Sequence, residues 1–112
     1  MSANFSEVNE FDQAELMERL GGDTNLLQIL VQSAMTTIPQ YINQAEQAQA
    51  SNDNAALTKA AHAIKGAASN MSLLRLAEIA AALESSSSQK ETNLEILKAA
   101  WQQASELLGQ LK

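Results

Sequence analysis

The apolar residues Leu94, Leu97, Trp101, Ala104, Leu108 and Leu111 recur at alternating spacings of three and four. That is the a/d seam of a helix packed into a bundle. Three earlier stretches keep the same periodicity. Leu27, Leu30, Val31, Ala34, Ile38, Tyr41, Ile42 and Ala45 hold it from Thr24 to about Ala50. Leu57, Ala60, Ile64, Ala67, Ala68 and Met71 form a third stripe, and Leu73, Leu76, Ala77, Ala80 and Leu83 a fourth. Nothing alternates with period two over a useful length, so no sheet is expected. A core built this way needs neighbouring helices to cover it. Four amphipathic helices joined by short polar connections solve that problem as an antiparallel bundle.

Local signals place the ends. Asp12 and Glu15 have capping-box spacing, with Phe11 and Leu16 set to staple a short first helix. That helix runs to Leu20 and stops at Gly21-Gly22, where the first glycine suits a left-handed C-cap. Asp23 caps the next helix, and Pro39 predicts a kink in it or a break into two pieces. Ala50-Ser51-Asn52-Asp53-Asn54 is a loop, with Asp53 or Asn54 as the following cap. Ser72 is the expected N-cap of the fourth helix. Ser85-Ser86-Ser87-Ser88-Gln89-Lys90 is a low-complexity connector, and Thr92 with Glu95 forms a second capping box. The expectation is an all-α, up-down four-helix bundle with a short additional N-terminal helix. Residues 1–10 form an irregular lead-in, and 11–112 a single domain.

Composition narrows the function. A formal net charge of −6 disfavours a nucleic-acid role, which needs clustered Lys and Arg. The absence of cysteine excludes disulfides and thiolate metal sites. No apolar run approaches the roughly 18 residues of a membrane span, and no charged-then-apolar stretch stands at the start of the sequence. A soluble, cytoplasmic protein is expected.

The third stripe carries the one histidine of the chain. At about 100° per residue, His62, Lys65, Gly66 and Ser69 gather opposite Leu57, Ala60, Ile64, Ala67, Ala68 and Met71, with Thr58 and Lys59 one turn earlier. The imidazole thus faces outward, flanked at i+3 and i+4 by Lys65 and Gly66. A glycine inside a helix costs about 1 kcal/mol relative to alanine, so it needs a reason. Close approach of a partner to the backbone beside the ring is the simplest one. Lysine supplies a point charge suited to phosphate. A solvent-facing imidazole, a bare backbone patch and a cation describe a nucleophile that carries an anion. On a helix without such neighbours, a lone histidine is usually incidental.

His62-Ala63-Ile64-Lys65-Gly66-Ala67-Ala68, continuing from Leu73 to Glu84, resembles the H-x-[I/L]-K-G-x-[A/S] signature of histidine-containing phosphotransfer (HPt) domains and the Leu-rich helix that follows it. The resemblance extends from about Asp12 to the C-terminus, mostly as helix pattern outside the His62 helix. It implies a four-helix bundle that shuttles a phosphoryl group between aspartates of receiver domains in two-component phosphorelays. It also implies His62 as phosphoacceptor through Nε2, and receiver domains of response regulators or hybrid histidine kinases as partners. Any Mg²⁺ would sit on the receiver, and this chain would carry no cofactor or metal. One position departs from the family pattern. Members often have glycine ten residues after the histidine, and here Ser72 stands there, a residue that enters the left-handed region less easily.

From these residues the chain is expected to act as a monomeric phosphoryl carrier without kinase activity, since it has no nucleotide-binding loop or carboxylate cluster. Lys65 would offset phosphoryl charge. Gly66, Thr58, Lys59, Ala55, Ser69 and Asn70 would form the docking face, with Ser69 and Asn70 equally able simply to end the helix. The alternative is a helical adaptor that docks a signalling partner without phosphorylation.

Overall fold

The computed structural model describes residues 12–85 and 90–110, and these contain five helices and no strand. They are α1 (Gln13–Arg19), α2 (Thr24–Ala50), α3 (Asn54–Asn70), α4 (Leu74–Ser85) and α5 (Lys90–Gly109). Neighbours in sequence are neighbours in space. α3 packs between α2 and α4, and α5 closes the ring against α4 and α2. That pattern is an up-down four-helix bundle, with α1 added at one end. The lead-in at residues 1–10, the Phe11 half of the staple, Ser86 to Gln89 of the connector and Leu111 lie outside the described residues.

The apolar stripes meet inside. Leu27, Val31, Ile38, Leu57, Ile64, Leu76, Ile79, Leu83, Leu94, Leu97 and Leu108 are all buried. Ala60, Ala61, Ala68 and Ala80 are buried among them, and such small side chains let α3 lie close to its neighbours. Trp101 is only partly buried, and Ala100 takes the fully buried place beside it. On the surface, the Lys98 ammonium of α5 meets the Glu46 carboxylate of α2 at 2.6 Å.

Three aspartates start helices in the same way. The side chains of Asp12, Asp23 and Asp53 accept from the backbone N–H groups of Glu15, Leu26 and Ala56, each at 3.0 Å, so each satisfies one otherwise orphaned donor. Asp53, rather than Asn54, is therefore the cap of α3. The Asp12 capping box is only half closed. Its own N–H bonds to the Ser72 carbonyl at 3.0 Å, and the Glu15 carboxylate reaches Ser72 and Arg19 instead of returning to the cap.

Helix ends are equally regular. α1, α2 and α3 each terminate with a left-handed residue, Gly21 at φ 66°, Asn52 at 57° and Ser72 at 55°. In each, the next residue's N–H bonds back five positions: Gly22 to Met17, Asp53 to Ala48 and Leu73 to Ala68. These are Schellman motifs.

Three sequence expectations need correction. Ser72 does not cap the N-terminus of α4. It closes the C-terminus of α3, because the chain reverses there in a Schellman turn and α4 begins only at Leu74. Thr92 is not a cap either, since α5 is already helical from Lys90. α2 is a single helix through Pro39, not two pieces. Pro39 and Met35 both lie on exposed positions, so water can satisfy the Met35 carbonyl that proline leaves without its helical donor.

Candidate functional site

α3 is the helix that presents the site, and its two faces separate as its sequence dictates. Leu57, Ala60, Ala61, Ile64 and Ala68 are buried, whereas Ala55, Lys59, His62, Gly66, Ser69 and Asn70 are exposed, and Thr58 and Lys65 are intermediate. Every residue expected on the docking face is thus on one side of one helix. The His62 side chain keeps 67% of its surface accessible, which leaves room for a visiting group to reach the ring.

The residue that completes the site comes from α4. Glu84 turns toward α3, and its side chain is three-quarters covered. Its carboxylate takes His62 Nδ1 on Oε2 at 2.7 Å and Lys65 Nζ on Oε1 at 2.9 Å. The pairing follows from hairpin arithmetic. His62 lies ten residues before the Ser72 turn and Glu84 twelve after it. At about 1.5 Å of rise per residue both stand about 15–18 Å from the turn, at one level of an antiparallel pair. Periodicity within a single helix could not show this, but the length of the hairpin could have.

The bridge sets the chemistry of the ring. Lys65 first, and His62 second, hold the Glu84 carboxyl below the usual glutamate range, so it is ionised at neutral pH and can only accept hydrogen bonds. Nδ1 must therefore be the protonated nitrogen. In the neutral imidazole this leaves the Nε2 lone pair free. Lys65 lies within reach of the same ring, already drawn toward it by the carboxylate.

Gly66 sits beside the imidazole in open space. A methyl group built there would meet nothing within 4 Å, so packing within this chain does not demand the glycine. Along the flank of α3 that carries Ala63 and Ala67, a shallow groove against α2 is lined by Leu30, Ser33, Thr37 and Tyr41. Among the described residues no group of three or more acidic or histidine side chains could hold a metal ion, and no helix is long and apolar enough to cross a membrane.

Ser69 and Asn70 end the helix as well as facing outward. Their carbonyls accept from Arg19 Nη2 of α1 at 3.4 and 3.1 Å. Comparison with curated proteins and with solved structures returns no match. The family model of the Hpt domain matches residues 26–112, from the first turn of α2 through the His62 helix to the C-terminus. The chain therefore belongs to the Hpt domain family.

Proposed function

We propose that this chain is a phosphoryl carrier of a two-component phosphorelay. His62 accepts the group from a receiver-domain aspartate and passes it to another receiver. The observation that carries the reading is the Glu84 bridge, which fixes the proton on Nδ1 of an exposed imidazole and leaves Nε2 as nucleophile.

The step balances without a proton transfer. The Nε2 lone pair attacks phosphorus, the P–N bond forms, and the P–O bond to the aspartate breaks to leave a carboxylate. The ring keeps its Nδ1 proton and becomes formally cationic. Glu84, 2.7 Å from that nitrogen, offsets the new charge. Lys65 can exchange its carboxylate partner for a phosphoryl oxygen without leaving the neighbourhood of the ring. Return transfer reverses each of these changes. Nothing on this chain needs to bind nucleotide, and a divalent ion for the transfer would belong to the receiver. The carrier acts as a monomer in the cytoplasm.

Docking uses the exposed stripe of α3. Gly66 lets the partner backbone approach the ring, and the groove between α3 and α2 offers apolar area beside it. The test is transfer from a phosphorylated receiver domain. Acid-labile, base-stable phosphate on His62 is expected, and His62→Gln takes none while keeping its helicity, since the side chain is exposed. A wild-type chain that binds receivers but acquires no label would be an adaptor, and the carrier reading would be wrong.

A further inference from the structure

The Nδ1 proton of His62 has one role when the ring accepts phosphate and another when it gives the group up. In acceptance it settles which nitrogen is free. In donation it settles what leaves. With Nδ1 protonated, the P–N bond breaks to release a neutral imidazole. With that proton gone, the same bond has to expel an imidazolate, a strong base and a poor leaving group. A phosphorylated ring that loses its Nδ1 proton therefore keeps its phosphate.

Glu84 is placed to hold that proton. Its Oε2 accepts from Nδ1 at 2.7 Å, and Lys65 Nζ pins the other oxygen at 2.9 Å. The Glu84 side chain is mostly covered, so water screens the pair less than it screens an exposed one. Among the described residues no other carboxylate is bonded to the ring. Asp53 caps α3 nine residues away, roughly 13 Å along the axis, and Lys59 is exposed on the same helix. On α2, Tyr41 lines the groove beside Ala63, and Glu46 is paired with Lys98 of α5. On α4, Arg75 reaches Gln103 of α5, and Glu78 lies about 120° around the helix from Glu84. On α1, Glu15 and Arg19 are bonded to each other and to Ser72, beyond the last turn of α3.

We propose that Glu84 is a positioning residue for onward transfer, keeping the Nδ1 proton on phosphorylated His62 so that the ring departs as neutral imidazole. This rests on the carrier reading above. In the step, an aspartate oxygen of the second receiver attacks phosphorus, the P–O bond forms and the P–N bond breaks. The electron pair of that bond returns to Nε2, and the Nδ1 proton stays where it was. The hold tightens in the phosphorylated state. The phosphoryl group draws Lys65 away from Oε1, so the carboxylate turns its full charge on the cationic ring. The carrier thereby remains a donor at alkaline pH, where a ring without Glu84 retains its phosphate.

The experiment takes the full chain, phosphorylated by a receiver domain and freed of it, and mixes it with excess unphosphorylated receiver. Single-turnover loss of label from His62 is followed at about pH 6 and about pH 9 for wild type and Glu84→Gln. The ratio of the two rate constants cancels the receiver's own pH dependence. Wild type is expected to lead at both, and the lead should widen about tenfold between them, because each pH unit past loss of the proton costs about that factor. Ring nitrogen NMR spectra of phosphorylated wild type should show the Nδ1 proton retained across the same range, whether or not the variant takes label. A lead that does not grow with pH, or an Nδ1 proton already lost from the phosphorylated wild type at the upper pH, would overturn the positioning role and leave the carrier reading standing. No label on wild-type His62 from any receiver would overturn both.

Discussion

Glu84 divides one carboxylate between two jobs, holding the Nδ1 proton of His62 and keeping Lys65 beside the ring. Glu84→Gln preserves size and can still accept from Nδ1, but it cannot offset a cationic ring. Phosphoryl acceptance should slow on the order of tenfold with receiver affinity little changed, as rapid-quench kinetics against binding titrations would show. The same residue makes stability pH-dependent in a defined direction. A carboxyl whose pKa is lowered by folding stabilises the native state above its unfolded value, near 4.5 here, and loses that contribution as pH falls through the folded value. Denaturation curves should show a wild-type advantage over Glu84→Gln at neutral pH that disappears in acid. Gly66 makes a separate claim. Because a Cβ there meets nothing, Gly66→Ala should stabilise the chain by about 1 kcal/mol in thermal or urea unfolding. Gly66→Leu should also fold but obstruct transfer. Normal transfer in that variant would remove the docking reason for the glycine. His62, Lys65 and Gly66 were legible from spacing on one helix. Glu84 was not, because its partner lies 22 positions away and no local period spans the turn between them.

At the scale of elements, the α3–α4 turn shows how a residue unsuited to a conformation can be held in it. Ser72 sits at φ 55° and is buried. The left-handed region costs a residue with a Cβ on the order of 1 kcal/mol. Its hydroxyl is occupied by Arg19 and Glu15, and hydrogen bonds to charged groups contribute about 1.5–3 kcal/mol. Bonding to Ser72 is the largest influence on Glu15, whose pKa is lowered. Ser72→Ala keeps the strained backbone and loses the hydroxyl, whereas Ser72→Gly loses the hydroxyl but relieves the strain. Both variants should be less stable than wild type, with alanine worse than glycine by about 1 kcal/mol in equilibrium unfolding. Equal stabilities would mean that the turn is not strained. Ser72 was misplaced from sequence because serine before a leucine-rich helix is an ordinary N-cap signal. The clasp that favours its other role is built from α1, more than fifty residues away.

Across the whole molecule, the leucine and alanine stripes of α2 to α5 bury one another, and the site stands on the outside of that core. Leu97 is fully buried on α5, the helix that closes the ring against α2 and α4. Leu97→Ala should cost about 2–5 kcal/mol through the cavity it leaves, measured by urea unfolding, while phosphate acceptance per folded molecule stays normal. The sequence by itself determined the helices, their buried faces, the caps Asp12 and Asp23 and the outward turn of His62. Each of these depends on residues within a few positions of one another, where periodicity and capping chemistry act directly. Only the tertiary structure decided that Glu84 meets His62 and Lys65, and that α1 is clasped to the end of α3 through Ser72. Those pairings depend on which helix faces meet and at what height. That is settled by how the helices pack against one another, so the period of no single helix encodes it.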